Sequence, residues 1–289
     1  MDPHLLRTFV TVARLASFSA AARELGYTQS AVSQHIAALE QDLGAALLTR
    51  RPVAPTPAGT RLLEHAGPLL LRLDAARAEV VRMAAAPEQG LTLAATPTAL
   101  TRRTVDALPP AGVTLTVLPR DEIPAAVATG TAELGLVDGL AAPSDPLPLP
   151  DVAPLTARGI AEDPVAVLLP ERHPLARRTG LRLGDLVDAR WLDAPGAGLP
   201  LAQLRSASGT SGFRPALRYD GTDLRTLMML AAAGHGLALL PRAVAEQAPG
   251  AVAVPLTEPR VVHRTELLHA GTLRGPAATL TAQLDVTRS

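Results

Sequence analysis

Cysteine and lysine are both missing from the 289-residue chain. Without cysteine there can be no disulfide framework, thiolate zinc site or cysteine nucleophile. Every one of the 27 basic residues is arginine, and 27 acidic residues balance them. No global field draws in a polyanion, so any nucleic-acid contact has to come from a local pattern. Three Phe, two Tyr and one Trp are too few for an aromatic cage around a large planar ligand or a single strand. The histidines, at 4, 35, 65, 173, 235, 263 and 269, show no metal-ligand spacing. Gly196-x-Gly198 is too short for a phosphate loop, and no Ser lies in a Gly-x-Ser-x-Gly elbow. No metal, cofactor or catalytic residue is expected. No run approaches the ~18–20 apolar residues needed to cross a bilayer. Met1-Asp2-Pro3-His4 also lacks the basic-then-apolar start of a secretion signal. The expectation is a soluble, cytoplasmic, multi-domain protein without a membrane partner.

What is present is strongly patterned. Leu5, Phe9 and Val12 or Ala13 place one apolar stripe on a first helix. Ser17-Phe18-Ser19 breaks it, and Ser19 is placed to cap a short second helix, 20–25, that ends at Gly26. Thr28 caps a third helix, in which Val32, Ile36, Leu39 and Leu43 share an inward face. Ser30, Gln34, Ala37 and Gln41 fall opposite, with Gln29 and Ser33 flanking. Residues 47–57, with Arg50, Arg51 and three prolines, suit a two-armed turn, read as a wing. From 58 to about 86, Leu62, Ala66, Leu69, Leu73, Ala76, Val80 and Met83 alternate by four and three, a heptad seam interrupted by Pro68. Arg61, Arg72, Arg77 and Arg82 form its solvated side with Glu64, Asp74 and Glu79. Beyond 87–90, apolar runs at 91–95, 113–118, 134–137, 165–169, 216–219, 237–240 and 252–255 alternate with helical patterns, predicting α/β folding on a parallel sheet. The stretches 142–154 and 209–212 read as surface loops.

A helix-turn-helix reads DNA by laying short polar side chains of its second helix into the major groove. Gln pairs bidentately with adenine, and Ser bonds either base type. Gln29, Ser30, Ser33 and Gln34 supply that chemistry, while Arg50 and Arg51 suit phosphate or a minor groove. From the helix pattern alone, an ordinary solvated face explains the same residues.

The run Phe9-x-x-Val12-Ala13, Ser17-Phe18-Ser19-x-Ala21-Ala22-x-x-Leu25, Thr28-Gln29-Ser30-Ala31-Val32-Ser33-x-x-Ile36-x-x-Leu39-Glu40-x-x-Leu43-Gly44-x-x-Leu47-Leu48-x-Arg50, then Thr56-x-Ala58-Gly59, resembles the signature of LysR-type transcriptional regulators. Val165-Ala166-Val167-Leu168-Leu169-Pro170 with His173-Pro174-Leu175-Ala176, and Ala232-Ala233-Gly234-His235-Gly236-Leu237, extend the likeness over nearly the whole chain. Leu48 stands where the family usually has Phe, and the wing is about two residues shorter than usual.

The resemblance implies a winged helix-turn-helix over 1–59 and a linker helix over 60–88. A two-lobed, periplasmic-binding-protein-like α/β effector domain then fills 89–289, with lobe I at 89–160 and 262–289 and lobe II at 163–260. It implies DNA contact through Thr28, Gln29, Ser30, Ser33, Gln34, Arg50 and Arg51. It also implies a homodimer or homotetramer paired through the linker, double-stranded DNA as partner and RNA polymerase as a candidate partner. The family's effectors bind between the lobes, which directs attention to Thr96, Thr98, Asp138, Gly196, Gly198 and Thr222, and a small polar or anionic metabolite is expected there. Two rivals stand beside this reading. An enzyme whose head only dimerises would turn over metabolites and would not depend on Gln29 or Ser33 for DNA binding. A solute-binding protein leaves the first ninety residues without a purpose.

Overall fold

The computed structural model describes residues 1–84 and 90–286. The expected linker end near 86 and the boundary at 87–89 fall outside the described residues. The chain folds as two compact units, Met1–Arg77 and Ala78–Ser289.

In the first unit, helix α1 (Pro3–Leu15) starts at Asp2, whose carboxylate accepts from His4 N at 2.7 Å. Helix α2 (Phe18–Leu25) is capped by Ser17, not Ser19. Ser17 is extended, and its hydroxyl accepts from Ala20 N at 3.2 Å, so the helix begins two residues earlier than the sequence pattern suggests. Gly26 closes α2 at φ +70°, where a side chain would be strained. Thr28 caps α3 (Gln29–Leu43) by accepting from Ala31 N. Val32, Ile36 and Leu39 pack with Phe9, Val12 and Ala21 in one core. Leu43 does not join them, being 42% exposed. The chain turns back at Gly44 and sends Leu47 and Leu48 into the core in its place.

Strands β1 (Leu48–Arg50) and β2 (Val53–Pro55) form an antiparallel hairpin, the wing. Helix α4 (Pro57–Ala84) follows and runs on through Pro68, which lacks the N–H of that turn. Within the first unit, Leu62, Leu63, Ala66 and Leu70 pack onto the helical core, leaving Leu69 exposed. Arg61 pairs with Glu64 as expected, but Asp74 is taken by Arg7 of α1 at 2.9 Å. Further along α4, Val80 and Met83 are 67% and 83% exposed.

The second unit continues with β3 (Leu91–Ala95), a 3-10 turn over Pro97–Ala99, α5 (Arg102–Asp106), β4 (Val113–Val117), α6 (Ile123–Ala128), β5 (Leu134–Ala141) and β6 (Thr156–Asp163). There follow β7 (Val165–Pro170), β8 (Leu181–Arg182), β9 (Trp191–Asp193), α7 (Leu201–Ser208), β10 (Pro215–Arg218), α8 (Leu224–Ala232), β11 (Ala238–Pro241), α9 (Arg242–Ala245) and β12 (Ala251–Glu258). Strand β13 (Val262–His269) and helix α10 (Gly275–Val286) close the chain. Two larger sheets result, ordered β4-β3-β5-β13-β6 and β11-β7-β12-β8, each the centre of one lobe. The chain passes from one to the other at Pro164 and returns between Glu258 and Val262.

Neither sheet is the simple parallel one anticipated. Strand β13 runs antiparallel to both β5 and β6, and β7 antiparallel to β11 and β12. A strand that re-enters a sheet directly after crossing from the other lobe has no helix to reverse its direction, so it pairs antiparallel. The loop at 142–154 is mainly exposed but anchors itself through buried Leu147 and Val152. Among the described residues, no helix is long and apolar enough to cross a membrane.

Candidate functional site: a DNA-facing helix and an inter-lobe cleft

The outer surface of α3 follows from its buried side. Because Val32, Ile36 and Leu39 are fixed inward, Gln29, Ser30 and Gln34 are exposed and Ser33 is half-buried beside them. Thr28 is exposed at the helix start, and its hydroxyl lies 3.0 Å from that of Ser30. The wing is held against this helix by Glu40. Its Oε1 accepts from Leu47 N (2.8 Å) and Leu48 N (3.2 Å), and Oε2 lies 3.8 Å from the Arg50 guanidinium. Arg50 also stacks over Phe18, 4.9 Å from the ring centre. Arg50 is thus oriented, whereas Arg51 is exposed and has no side-chain partner among the described residues. Thr56 donates to Ala46 O and accepts from Gly59 N, joining the wing to the first turn of α4. Exposed amides and hydroxyls on one convex helix, flanked by an oriented guanidinium, can meet base edges and phosphate together.

In the second unit, Thr96, Thr98, Asp138, Gly196 and Gly198 converge on one small cavity where the two lobes meet, and Arg120 joins them. The cavity measures about 10 Å³, room for about one water. Thr222 does not line it. It stands behind Gly196, where an added Cβ would meet Gly221 O at 2.9 Å and Thr222 Cγ2 at 3.5 Å. Gly198 is likewise crowded from behind, by Leu227 Cδ2 at 2.8 Å. Glycine at these two positions lets the 195–200 backbone itself form the cavity wall. Residues 97–99 form a 3-10 turn, and Thr96 caps nothing with its side chain. Its Oγ1 is buried without a hydrogen-bond partner, close enough to favour the ionised Asp138 carboxylate but outside bonding geometry.

Asp138 is the charged centre of the cleft. Its Oδ2 takes a hydrogen bond from Thr98 Oγ1 and lies 2.6 Å from Nε2 of His263 on β13. Burial alone would raise its pKa, but the charge and hydrogen bond of His263 and the Thr98 hydroxyl outweigh it and hold Asp138 below the usual carboxylate value. Burial draws the pKa of Arg120 below its ordinary value against the opposing charges of Asp138, Glu266 and Asp121. A guanidinium nevertheless keeps its proton. On the crossing strands, Arg264 lies between Glu266 (2.7 Å) and Glu162, and these carboxylates raise its pKa despite burial.

Three residues of this cleft escaped the sequence reading: Arg120, Gln203 and His263. Arg120 follows the end of β4, and ligands of α/β folds gather at the carboxyl ends of strands, so its position was a usable signal. Gln203 and His263 carried none. Gln203, on α7 of one lobe, accepts from Leu140 N on β5 of the other at 2.8 Å. It pins the lobes together. Gln203→Ala is expected to leave the Leu140 amide unpaired and speed its hydrogen exchange about tenfold or more, since an unmade buried bond costs about 1–3 kcal/mol. Unchanged exchange at Leu140 would remove the pin.

The bacterial regulatory helix-turn-helix protein, lysR family, model matches residues 3–60, and the LysR substrate binding domain model matches residues 84–283. The HTH-type transcriptional regulator AbaB of Streptomyces antibioticus is 34% identical over 285 residues, covering 90% of this chain and 88% of its own. The crystal structure of full-length BenM aligns over 99% of this chain and 96% of its own, with a TM-score of 0.54 at 23% identity. Full-length CbnR complexed with its target DNA aligns over 98% of each chain, with a TM-score of 0.50 at 22% identity. At those identities the two structures speak for the fold.

Proposed function

Because this chain belongs to the LysR family of bacterial transcription regulators, with a DNA-binding head and an effector-binding domain, we propose specific roles for its residues in operator and effector recognition. The family is one of regulators, not enzymes, and the catalytic rival falls with that.

Thr28, Gln29, Ser30, Ser33 and Gln34 face the base edges of the major groove, while Arg50 and Arg51 meet the backbone. The head comprises 1–59, the linker 60–88 and the effector domain 89–289. Exposed Leu69, Val80 and Met83 are the apolar positions through which α4 pairs with a second copy, giving a homodimer or a tetramer built from it. The effector, a small polar or anionic metabolite, sits among Thr96, Thr98, Asp138, Gly196 and Gly198, with Thr222 shaping the wall from behind. A ligand that prefers one arrangement of the lobes shifts the population toward it and so resets the spacing of paired heads on DNA. The site of action is the cytoplasm, where DNA and RNA polymerase are met.

The observation that carries the DNA assignment is the exposed Gln and Ser face of α3, held outward by its buried Val32, Ile36 and Leu39. A gel shift on the DNA upstream of this protein's own coding region tests it. Gln29→Ala is expected to weaken binding by about 1–3 kcal/mol and relax base preference at one position. Arg50→Ala should weaken all sequences alike and lower the salt slope by about one. Binding by Gln29→Ala with unchanged site preference would sink the base-reading role.

A further inference from the structure

We propose that Arg120 selects the effector, and that the effector is a small monocarboxylate bearing a hydrogen-bond donor on the adjacent carbon, an α-hydroxy or α-amino acid. This rests on the cleft being the effector site.

Several groups in the cleft have unused bonding capacity. The Arg120 guanidinium has five donors, yet among the described residues its one hydrogen bond is from Nη2 to Pro148 O at 3.3 Å, and its Nε is buried without a partner. The guanidinium lies over Gly139, where an added Cβ would fall 3.0 Å from Arg120 Cζ and 3.0 Å from Gln203 Oε1. Glycine at 139 therefore clears the space in which Arg120 reaches the lobe junction. The Thr96 hydroxyl, 3% exposed, is a second donor on the same cavity, near enough to Asp138 to favour its ionised form but without a hydrogen bond of good geometry. Together they present a planar cationic fork and a hydroxyl, the groups that hold a carboxylate.

Asp138 supplies the opposite preference. Thr98 and His263 both address Oδ2, and Oδ1 accepts nothing among the described residues. An ionised carboxylate lining the cavity takes a ligand hydroxyl or ammonium and repels a second negative charge. The ligand's carboxylate and donor must then sit close together, because the groups that read them line one cavity, which at about 10 Å³ holds a single water and has to open for any such acid to enter. A dianion, a phosphate ester or a large planar acid does not match this set.

Thermal unfolding of the full-length protein with glycolate, L-lactate, glycine and L-alanine tests the proposal. Acetate and propionate serve as donor-free controls, and ethylene glycol and ethanolamine as carboxylate-free controls. At least one hydroxy or amino acid is expected to raise the Tm at concentrations tenfold or more below its donor-free counterpart, and its identity separates the two sources of the donor. Arg120→Gln should weaken that ligand at least tenfold and Arg120→Lys less, while circular dichroism shows both variants folded. Thr96→Val, which exchanges only the hydroxyl for a methyl, should also weaken it. If the ligand binds Arg120→Gln as well as wild type but is lost in Thr96→Val, the role of Arg120 is overturned and the cleft reading stands. If both variants bind as wild type does, the cleft reading falls too. If no acid raises the Tm, or the donor-free acids match the others, the proposed ligand class is wrong.

Discussion

Gly59→Ala is expected to abolish operator binding and to destabilise the N-terminal unit by about 1–3 kcal/mol, the usual cost of overpacking. The added methyl would lie 2.1 Å from the Leu47 carbonyl oxygen, which is backbone and cannot rotate away. Nor can the Leu47 segment retreat without losing contacts. Its N–H is held by Glu40, its carbonyl accepts from Thr56 N at 2.9 Å, and its side chain is buried in the head core. The strain therefore moves the root of the wing, and with it Arg50 and Arg51. At about 4–8 °C per kcal/mol for a unit of this size, the Tm drop is readily measured. Gly67→Ala is the matched control, since its methyl would meet nothing within 4 Å on the same helix. It should be neutral or stabilise by about 0.5–1 kcal/mol. A Gly59→Ala protein with wild-type Tm and gel shift would show that the wing root tolerates a shift.

Asp138→Ala is expected to destabilise the effector domain by about 1–3 kcal/mol for each buried group it leaves without a partner. His263 is fully buried, its Nδ1 already lacks a partner, and the substitution orphans Nε2 and the Thr98 hydroxyl as well. Asp138→Asn keeps the shape and removes the charge, which isolates the electrostatic part. The folded-state pKa of Asp138 is lowered from 3.8, so its charge contributes stability above the unfolded value, and that contribution is lost as pH falls through the folded one. The stability gap between wild type and Asp138→Asn should be largest near neutrality and narrow below about pH 3.8. Denaturant unfolding at pH 7, 5 and 3 measures it. A gap of constant size across that range would mean that Asp138 acts only by its shape.

The elements legible in the sequence were those whose signals are local. Thr28, Gly26 and the Val32-Ile36-Leu39 row act within one or two turns, so α3 could be placed with its cap, its stop and its inward face. Ser17 and Ser19 show the limit of such signals: both are capping residues, and only the backbone conformation decides which one caps. Leu43 continues the apolar period of α3 but lies past the point where the chain folds back to deliver Leu47. Strand β13 went unseen because its buried positions carry His263, Arg264 and Glu266, the last only 2% exposed. No hydropathy pattern marks a strand whose buried charges are paired with residues a hundred or more positions away, as His263 is with Asp138 and Arg264 with Glu162.

The missing cysteines, the scarce aromatics and the balanced charge therefore bounded the chemistry from the start, and the periodicities and caps of the first sixty residues specified a helical head, for which the likeness to the LysR signature, not the polar face alone, implied DNA contact. Those properties reside in single residues and in neighbours along the chain. Which groups meet in the cleft was decided by the tertiary structure alone. Arg120 after β4, Asp138 on β5 and the 195–200 backbone are brought to one cavity, with His263 on β13 bonded to Asp138 beside it, because the chain crosses twice between the two sheets, and Gln203 pins the lobes only when α7 comes to rest against Leu140.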